Sequence, residues 1–150
     1  PSNWDNKKYN IVYFNSSIGE YAAITDQMQK DNLFSDQIES INYISNLIEK
    51  DDDVFLNVRL HPNLSNMTQK EREMWNGINH SKIQIIPSDS PIDTYSLMDE
   101  ANLIIVFMST TGIEAAYRNK PVIALAESWY TKLGSTDTAK TFDELKKMVV

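Results

Sequence analysis

Residues 103–119, LIIVFMSTTGIEAAYRN, restrict the possible folds more than any other stretch. They open on the apolar run Leu103-Ile104-Ile105-Val106-Phe107-Met108 and turn small and hydroxylated at Ser109-Thr110-Thr111-Gly112. Ile113, Ala116 and Tyr117 then recur at i, i+3 and i+4. An apolar run bounded by turn chemistry predicts a strand buried on both faces, and the spacing behind it predicts a helix. At such a turn the first N–H groups of the helix lack partners, and the positive end of the helix suits an anion, typically phosphate. Ser109, Thr110 and Thr111 add hydroxyl donors, and Gly112 lets a ligand approach the backbone. Glu114 falls in the first helical turn, near the same spot. The alternative is that Ser109 or Thr110 merely caps the helix, with Glu114 completing a capping arrangement.

The rest of the chain repeats this alternation. Residues 9–14, YNIVYF, predict a first strand, followed by the polar turn Asn15-Ser16-Ser17-Ile18-Gly19-Glu20. Residues 20–24 fit one helical turn. Ser35 is placed to cap a longer helix with Ile38, Ile41, Ile44, Leu47 and Ile48 on one face. Residues 54–60, VFLNVRL, predict a second strand that runs into His61-Pro62-Asn63, where proline ends ladder pairing. Residues 68–75 predict a solvent-facing helix, and 82–86 a third strand. Pro87-Ser88-Asp89-Ser90-Pro91 predicts a loop, with Ser90 as cap and Pro91 at the first position of a short helix. That helix runs to Ala101 and buries Tyr95, Leu97 and Met98. Residues 121–126, PVIALA, predict a fifth strand, 129–137 a loop, and Thr141 caps a last helix.

Strand and helix alternate five times. That pattern predicts an α/β fold, a Rossmann-like three-layer sandwich on a mostly parallel sheet of about five or six strands. Residues 1–150 form one such domain, with 1–8 as a polar lead-in. The chain begins at Pro1 and stops at Val150 inside a helix-like pattern, which predicts a piece of a longer protein.

Charge and composition remove several functions. A net charge of −7 argues against a non-specific grip on nucleic acid, though not against one small phosphorylated ligand. With no cysteine there is neither a disulfide framework nor a thiolate metal site, and His61 and His80 are too few for a zinc cluster. Asp51-Asp52-Asp53 cannot converge on one ion from a turn, so neither a metal nor a cofactor is expected. His80 reads as a surface-loop residue. No apolar run approaches the length of a membrane span. The glycine fingerprint of dinucleotide sites and the Walker pattern are both missing.

In open parallel sheets ligands sit beyond the carboxyl ends of the strands. Here those ends carry Asn15-Ser16-Ser17, His61-Pro62, Pro87-Ser88, Ser109-Thr110-Thr111-Gly112 and Glu127-Ser128. Together they describe a polar crevice with phosphate-binding character. An imidazole at His61 can hydrogen-bond a phosphate or act as a general acid near neutral pH, or else bond a neighbouring loop. Arg59 shares strand parity with His61 and is placed either beside it or in an ion pair with the 51–53 run. Tyr95, Tyr117 and Trp75, at helical spacing, read as core or interface. Trp129-Tyr130 follows the fifth strand and could face a ligand or not.

Several of these residues carry a resemblance. Arg59-Leu60-His61-Pro62, Ile86-Pro87-Ser88 with Asp93-Thr94-Tyr95, Ser109-Thr110-Thr111-Gly112-Ile113-Glu114-Ala115-Ala116 and Lys120-Pro121-Val122-Ile123 occur in that order. They resemble the C-terminal half of bacterial capsule and lipopolysaccharide biosynthesis glycosyltransferases, which have the two-domain GT-B architecture. Phe14-Asn15-Ser16-Ser17 with Glu20-Tyr21 is similar to the first strand and turn of that half. The order of the His-Pro and Ser-Thr elements is also similar to that in bacterial sialyl- and Kdo-type transferases, which use CMP-sugars. The chain departs from the pattern at Ile18-Gly19, where an acidic pair often follows the serines, and this weighs against an active-site role for the first turn.

The resemblance implies a nucleotide-sugar donor-binding domain in surface polysaccharide biosynthesis, inactive by itself. His61 would contact the donor phosphate and could protonate the departing nucleotide. Ser109, Thr110 and Thr111, with Gly112, would bind the phosphate at the helix N-terminus. Glu114 would hold a ribose or sugar hydroxyl, the Pro87-Ser88 loop would meet the nucleobase through its backbone, and Arg59 would join the donor site. The implied partners are a CMP- or UDP-linked sugar, the N-terminal domain of the same protein and a glycan acceptor, with no nucleic acid and no membrane span. The implied location is the cytoplasm, including the inner face of the membrane. Two alternatives stand beside this: a nucleotide-sugar 2-epimerase-like domain, and a non-catalytic α/β domain that binds a ligand or a protein.

Overall fold

The apolar runs pair into one sheet. The computed structural model describes residues 4–17, 32–78 and 80–150. The strands are β1 (Tyr9–Phe14), β2 (Val54–Arg59), β3 (Ile83–Ile86), β4 (Leu103–Val106) and β5 (Val122–Ala124). Among the described residues the helices are α1 (Gln37–Leu47), α2 (Gln69–Asn76), α3 (Thr94–Glu100), α4 (Thr111–Tyr117) and α5 (Phe142–Val149). Strand order is β3-β2-β1-β4-β5, and every pairing is parallel. Among the described residues the sheet therefore has five strands, the lower end of the expected range. The helical turn expected at 20–24 lies outside the described residues, as does Glu20-Tyr21.

Period-two alternation splits each central strand between two cores. Ile11, Tyr13, Leu56, Val58 and Ile105 pack with Ile41, Ile44 and Ile48 of α1 and with Leu145 and Val149 of α5. Val12, Phe14, Ile104 and Val106 pack with Leu97 and Met98 of α3 and Ala115 of α4. This is the three-layer sandwich. The buried Tyr13 hydroxyl shares a 2.8 Å hydrogen bond with Ser40 Oγ, and burial pushes its pKa up, so the phenol stays neutral.

Several expected details shift. The cap of α1 is Asp36, whose side chain accepts from Glu39 N; Ser35 instead donates to the Glu39 carboxylate from both its N and its Oγ. The cap of α3 is Asp93, whose carboxylate accepts from Ser96 N at 2.7 Å, so the helix starts three residues after Pro91 rather than on it. That bond, with those from the Ser96 hydroxyl and Tyr95 N, holds Asp93 below the usual carboxylate range. Tyr95 is 48% exposed and Tyr117 90%, so neither belongs to the core, whereas Trp75 does. The inward face of α4 is Gly112 and Ala115, one position off the Ile113–Ala116–Tyr117 pattern. A helix that follows a strand this directly packs close to the sheet, and its smallest side chains take the contact.

Helix α2 has few apolar contacts and depends on its cap. Thr68 Oγ1 accepts from Glu71 N, while the Glu71 carboxylate accepts from Thr68 N at 2.7 Å. Thr68→Ala is expected to cost about 1 kcal/mol. A lower urea midpoint at unchanged slope would confirm this, and an unchanged midpoint would refute it.

Candidate functional site

Strand order reverses between β1 and β4, so their carboxyl ends flank the crevice where such sheets bind ligands. A cleft of about 270 Å³ opens there. Its floor is Phe14 and Leu60. Asn15, Arg59, His61 and Pro62 come from the ends of β1 and β2, Thr94 and Tyr95 from the start of α3, and Thr110, Thr111 and Glu114 from the start of α4. Five of the residues singled out from sequence, Arg59, His61, Thr110, Thr111 and Glu114, thus meet in one place. The other three do not line it.

Those three sit behind or beside the cleft. Ser109 is 2% exposed; its Oγ pairs with Thr111 Oγ1 at 2.8 Å and accepts from Thr111 N at 3.3 Å. Gly112 faces inward, not toward a ligand. The space left by its missing Cβ is occupied by the Tyr130 hydroxyl and a Val106 methyl. Ser88 lines a separate cavity of about 210 Å³ with Leu60, Trp75, Pro87 and Asp89, on the β3 side.

Arg59 is 6% exposed and not paired with the 51–53 run. Those aspartates precede β2 and Arg59 ends it, so the strand's length of about 20 Å separates them. Asp52 and Asp53 pair with Lys82 and Lys8 instead. The Arg59 guanidinium donates to the carbonyls of Pro87, Ser90 and Ile92, the last two at 3.3 Å. It fastens the 87–92 loop to the end of β2. Burial lowers its pKa, and the charge of Asp89 partly opposes this. Its buried Nε has no hydrogen-bond partner.

His61 precedes a 3-10 turn, Pro62–Asn66, and caps it. Its Nδ1 accepts from Asn63 N at 3.1 Å. That bond assigns the ring proton to Nε2, which is left as a donor. Thr110 occupies the cap position of α4 but makes no side-chain cap bond, and it is exposed. Glu114 makes no capping bond either. It accepts a hydrogen bond from the Tyr95 hydroxyl and so pushes that phenol's pKa up. Arg118, which is bonded to Asp99, lies 5.4 Å from the Tyr95 ring centroid.

Sequence reasoning missed Thr94 and Tyr95 as cleft residues. The signal was their position at the first turn of the helix following β3. Of the Trp129-Tyr130 pair, Trp129 is 68% exposed, while Tyr130 is fully buried and donates to the Ser109 carbonyl. Among the described residues, no group of His, Cys, Asp or Glu could hold a metal ion, and no helix is long and apolar enough to cross a membrane.

A family model described as "Capsule polysaccharide biosynthesis protein" matches residues 15–147. Comparison with curated protein sequences gave no match. Among solved structures the chain is similar to the KpsC beta Kdo 2,4 transferase of Thermosulfurimonas dismutans, with a TM-score of 0.60, 14% identity, and coverage of 98% of this chain and 46% of that one. The KpsC beta Kdo 2,7 transferase of the same organism gives 0.56 and 17%, covering 97% and 44%. S. aureus MnaA, solved with UDP, gives 0.59 and 18%, covering 98% and 40%. At these identities the likeness establishes the fold. The chain spans under half the length of each of these structures.

Proposed function

The chain belongs to the family of capsule polysaccharide biosynthesis proteins, and from that premise we propose that it binds the nucleotide-sugar donor of a glycosyltransferase. One observation carries the reading. Five polar residues from the ends of two strands, Arg59 and His61 at β2 and Thr110, Thr111 and Glu114 beyond β4, line one cleft at the point where the strand order reverses.

The roles proposed for these residues are as follows. His61 Nε2–H donates to the donor phosphate and stabilises it as the nucleotide departs, which is the catalytic part of its role. Arg59 puts a buried positive charge under the cleft. Thr110 and Thr111 offer hydroxyls to the phosphate, with Ser109 and Gly112 shaping their turn. Glu114 accepts from a ribose or sugar hydroxyl. The Pro87-Ser88 loop lines the neighbouring cavity and takes no part in this cleft. The donor is a CMP- or UDP-linked sugar, in line with the Kdo transferases and the UDP-bound protein that share the fold. The base that deprotonates the acceptor, and the acceptor site, belong to another domain of the same protein.

The test is a thermal-shift titration of the full-length protein with CMP, CDP, UDP, GDP and UDP-sugars. A ligand that binds only the folded state stabilises it by about 2.7 kcal/mol at a hundred times its Kd. One nucleotide class is expected to raise the melting temperature, with a smaller shift at the same ligand concentration in His61→Ala and in Thr110→Ala. No shift with any nucleotide would refute the proposal.

A further inference from the structure

The first turn, Asn15-Ser16, is buried and joins the end of β2, the segment beyond β4 and the start of α1. Both residues are 1% exposed. Asn15 Oδ1 accepts from His61 N at 2.6 Å, and Asn15 N donates to the Arg59 carbonyl at 3.4 Å. Asn15 Nδ2 donates to the Ser16 carbonyl at 3.1 Å. Ser16 Oγ accepts from Met108 N at 3.1 Å, one residue before the Ser109-Thr110-Thr111 turn. Gln37, the first residue of α1, completes the arrangement: its Oε1 accepts from Ser16 N at 2.7 Å and its Nε2 donates to the Ser16 carbonyl at 3.1 Å.

These bonds do more than close the end of β1. β2 and β4 are not neighbours in the sheet; β1 lies between them. The ladder joins β2 and β4 only through β1, whose last residue, Phe14, lies opposite Arg59 on one side and Val106 on the other, and His61 and the hydroxyl turn both lie beyond those last pairs. The Asn15-Ser16 side chains make that connection, one to each side. His61 is then held twice, at its main-chain N–H by Asn15 and at Nδ1 by Asn63 N. Its ring has little freedom left, and Nε2 is held relative to the turn that carries the Thr110 and Thr111 hydroxyls. A donor site for phosphate depends on such placement, because misplacement of about 1 Å can cost 10²-fold.

We propose that Asn15, with Ser16, is a positioning residue that sets His61 Nε2 against the Thr110-Thr111 hydroxyls so that both reach one phosphate. The inference rests on the nucleotide-site reading above and assigns a role to the turn that ends β1.

A double-mutant cycle tests it on the full-length protein, with CMP and UDP as probes and affinity measured by calorimetry. Asn15→Ala is expected to weaken nucleotide binding about tenfold in the otherwise unchanged protein and less than about twofold in His61→Ala, because Asn15, bonded to the His61 main-chain N–H, acts on the phosphate only through the position of the His61 ring. Equal losses in both backgrounds would mean a general structural effect and overturn the proposal. Should Asn15→Ala fail to fold, the cycle of Ser16→Ala with Thr111→Ala carries the same test on the β4 side. There, coupling supports the latch and additivity overturns it. Wild-type protein that binds neither probe would instead overturn the site reading, and this inference with it.

Discussion

Gly112→Ala is expected to destabilise the domain by about 1–3 kcal/mol, the usual cost of overpacking a filled core. A Cβ built at Gly112 would lie 2.5 Å from the Tyr130 hydroxyl and 2.9 Å from Val106 Cγ2. Neither neighbour can retreat cheaply. Val106 is a fully buried residue of β4, and Tyr130 is fully buried with its hydroxyl bonded to the Ser109 carbonyl. The simplest relief is for α4 to move away from the sheet, which would carry Thr111 and Glu114 with it. Affinity for nucleotide should therefore fall together with stability. In a domain of this size each kcal/mol shifts the melting temperature by about 2–4 °C. Tyr130→Phe leaves Tyr130 Cζ, at 3.1 Å, as the nearest ring atom, so the double variant should lose less than the sum of the two singles. A Gly112→Ala midpoint within about 0.5 kcal/mol of wild type would show that α4 is not held this closely. Gly134 is the useful contrast. It has open space around it and a φ of +73°, so alanine there would be strained by the backbone and not by a neighbour.

The same residue separates what the sequence discloses from what it hides. The alternation of strand and helix was legible because apolar runs and turn residues act locally. Strand order was not, because it depends on which buried faces complement one another across the chain. The inward face of α4 was misread because a pattern of large apolar residues pointed to Ile113 and Tyr117, whereas a close-packed helix puts glycine and alanine inward. Tyr95 was misplaced for a related reason. The buried face of α3 carries Leu97 and Met98, and Tyr95 stands beside it at the cleft rim. The place of the cleft was legible, since the strands of a parallel sheet all end on one side. What could not be read was which polar residues face the cleft and which hold others in place. Ser109 and Asn15 look as available as Thr110 in the sequence, yet both are buried in hydrogen bonds with other parts of the wall.

Arg59 combines the two roles, and its replacement should show both. Arg59→Met keeps much of the stem volume but removes the donors to the Pro87, Ser90 and Ile92 carbonyls. Hydrogen bonds from a charged group contribute about 1.5–3 kcal/mol each, and loop carbonyls that regain water return part of that, so a net loss of about 3 kcal/mol is expected. The loop so released leads into Thr94 and Tyr95, and the cleft loses one wall as well as its buried cation. No salt bridge among the described residues involves Arg59, so its charge is not neutralised by a paired carboxylate. In a chain of net charge −7 that leaves a buried cation beneath the cleft, offset in part by Asp89, as the proposed phosphate site requires. Arg59→Lys separates the contributions. An ammonium keeps the charge but cannot fork to three carbonyls. It should lose nearly as much stability as Arg59→Met while retaining a larger share of nucleotide affinity. Added salt should weaken nucleotide binding less in Arg59→Met than in wild type, because the screened attraction is already gone. Equal affinities for the two variants would mean that Arg59 serves the site only by holding its loop. An Arg59→Met protein as stable as wild type would mean that the loop is held by other contacts.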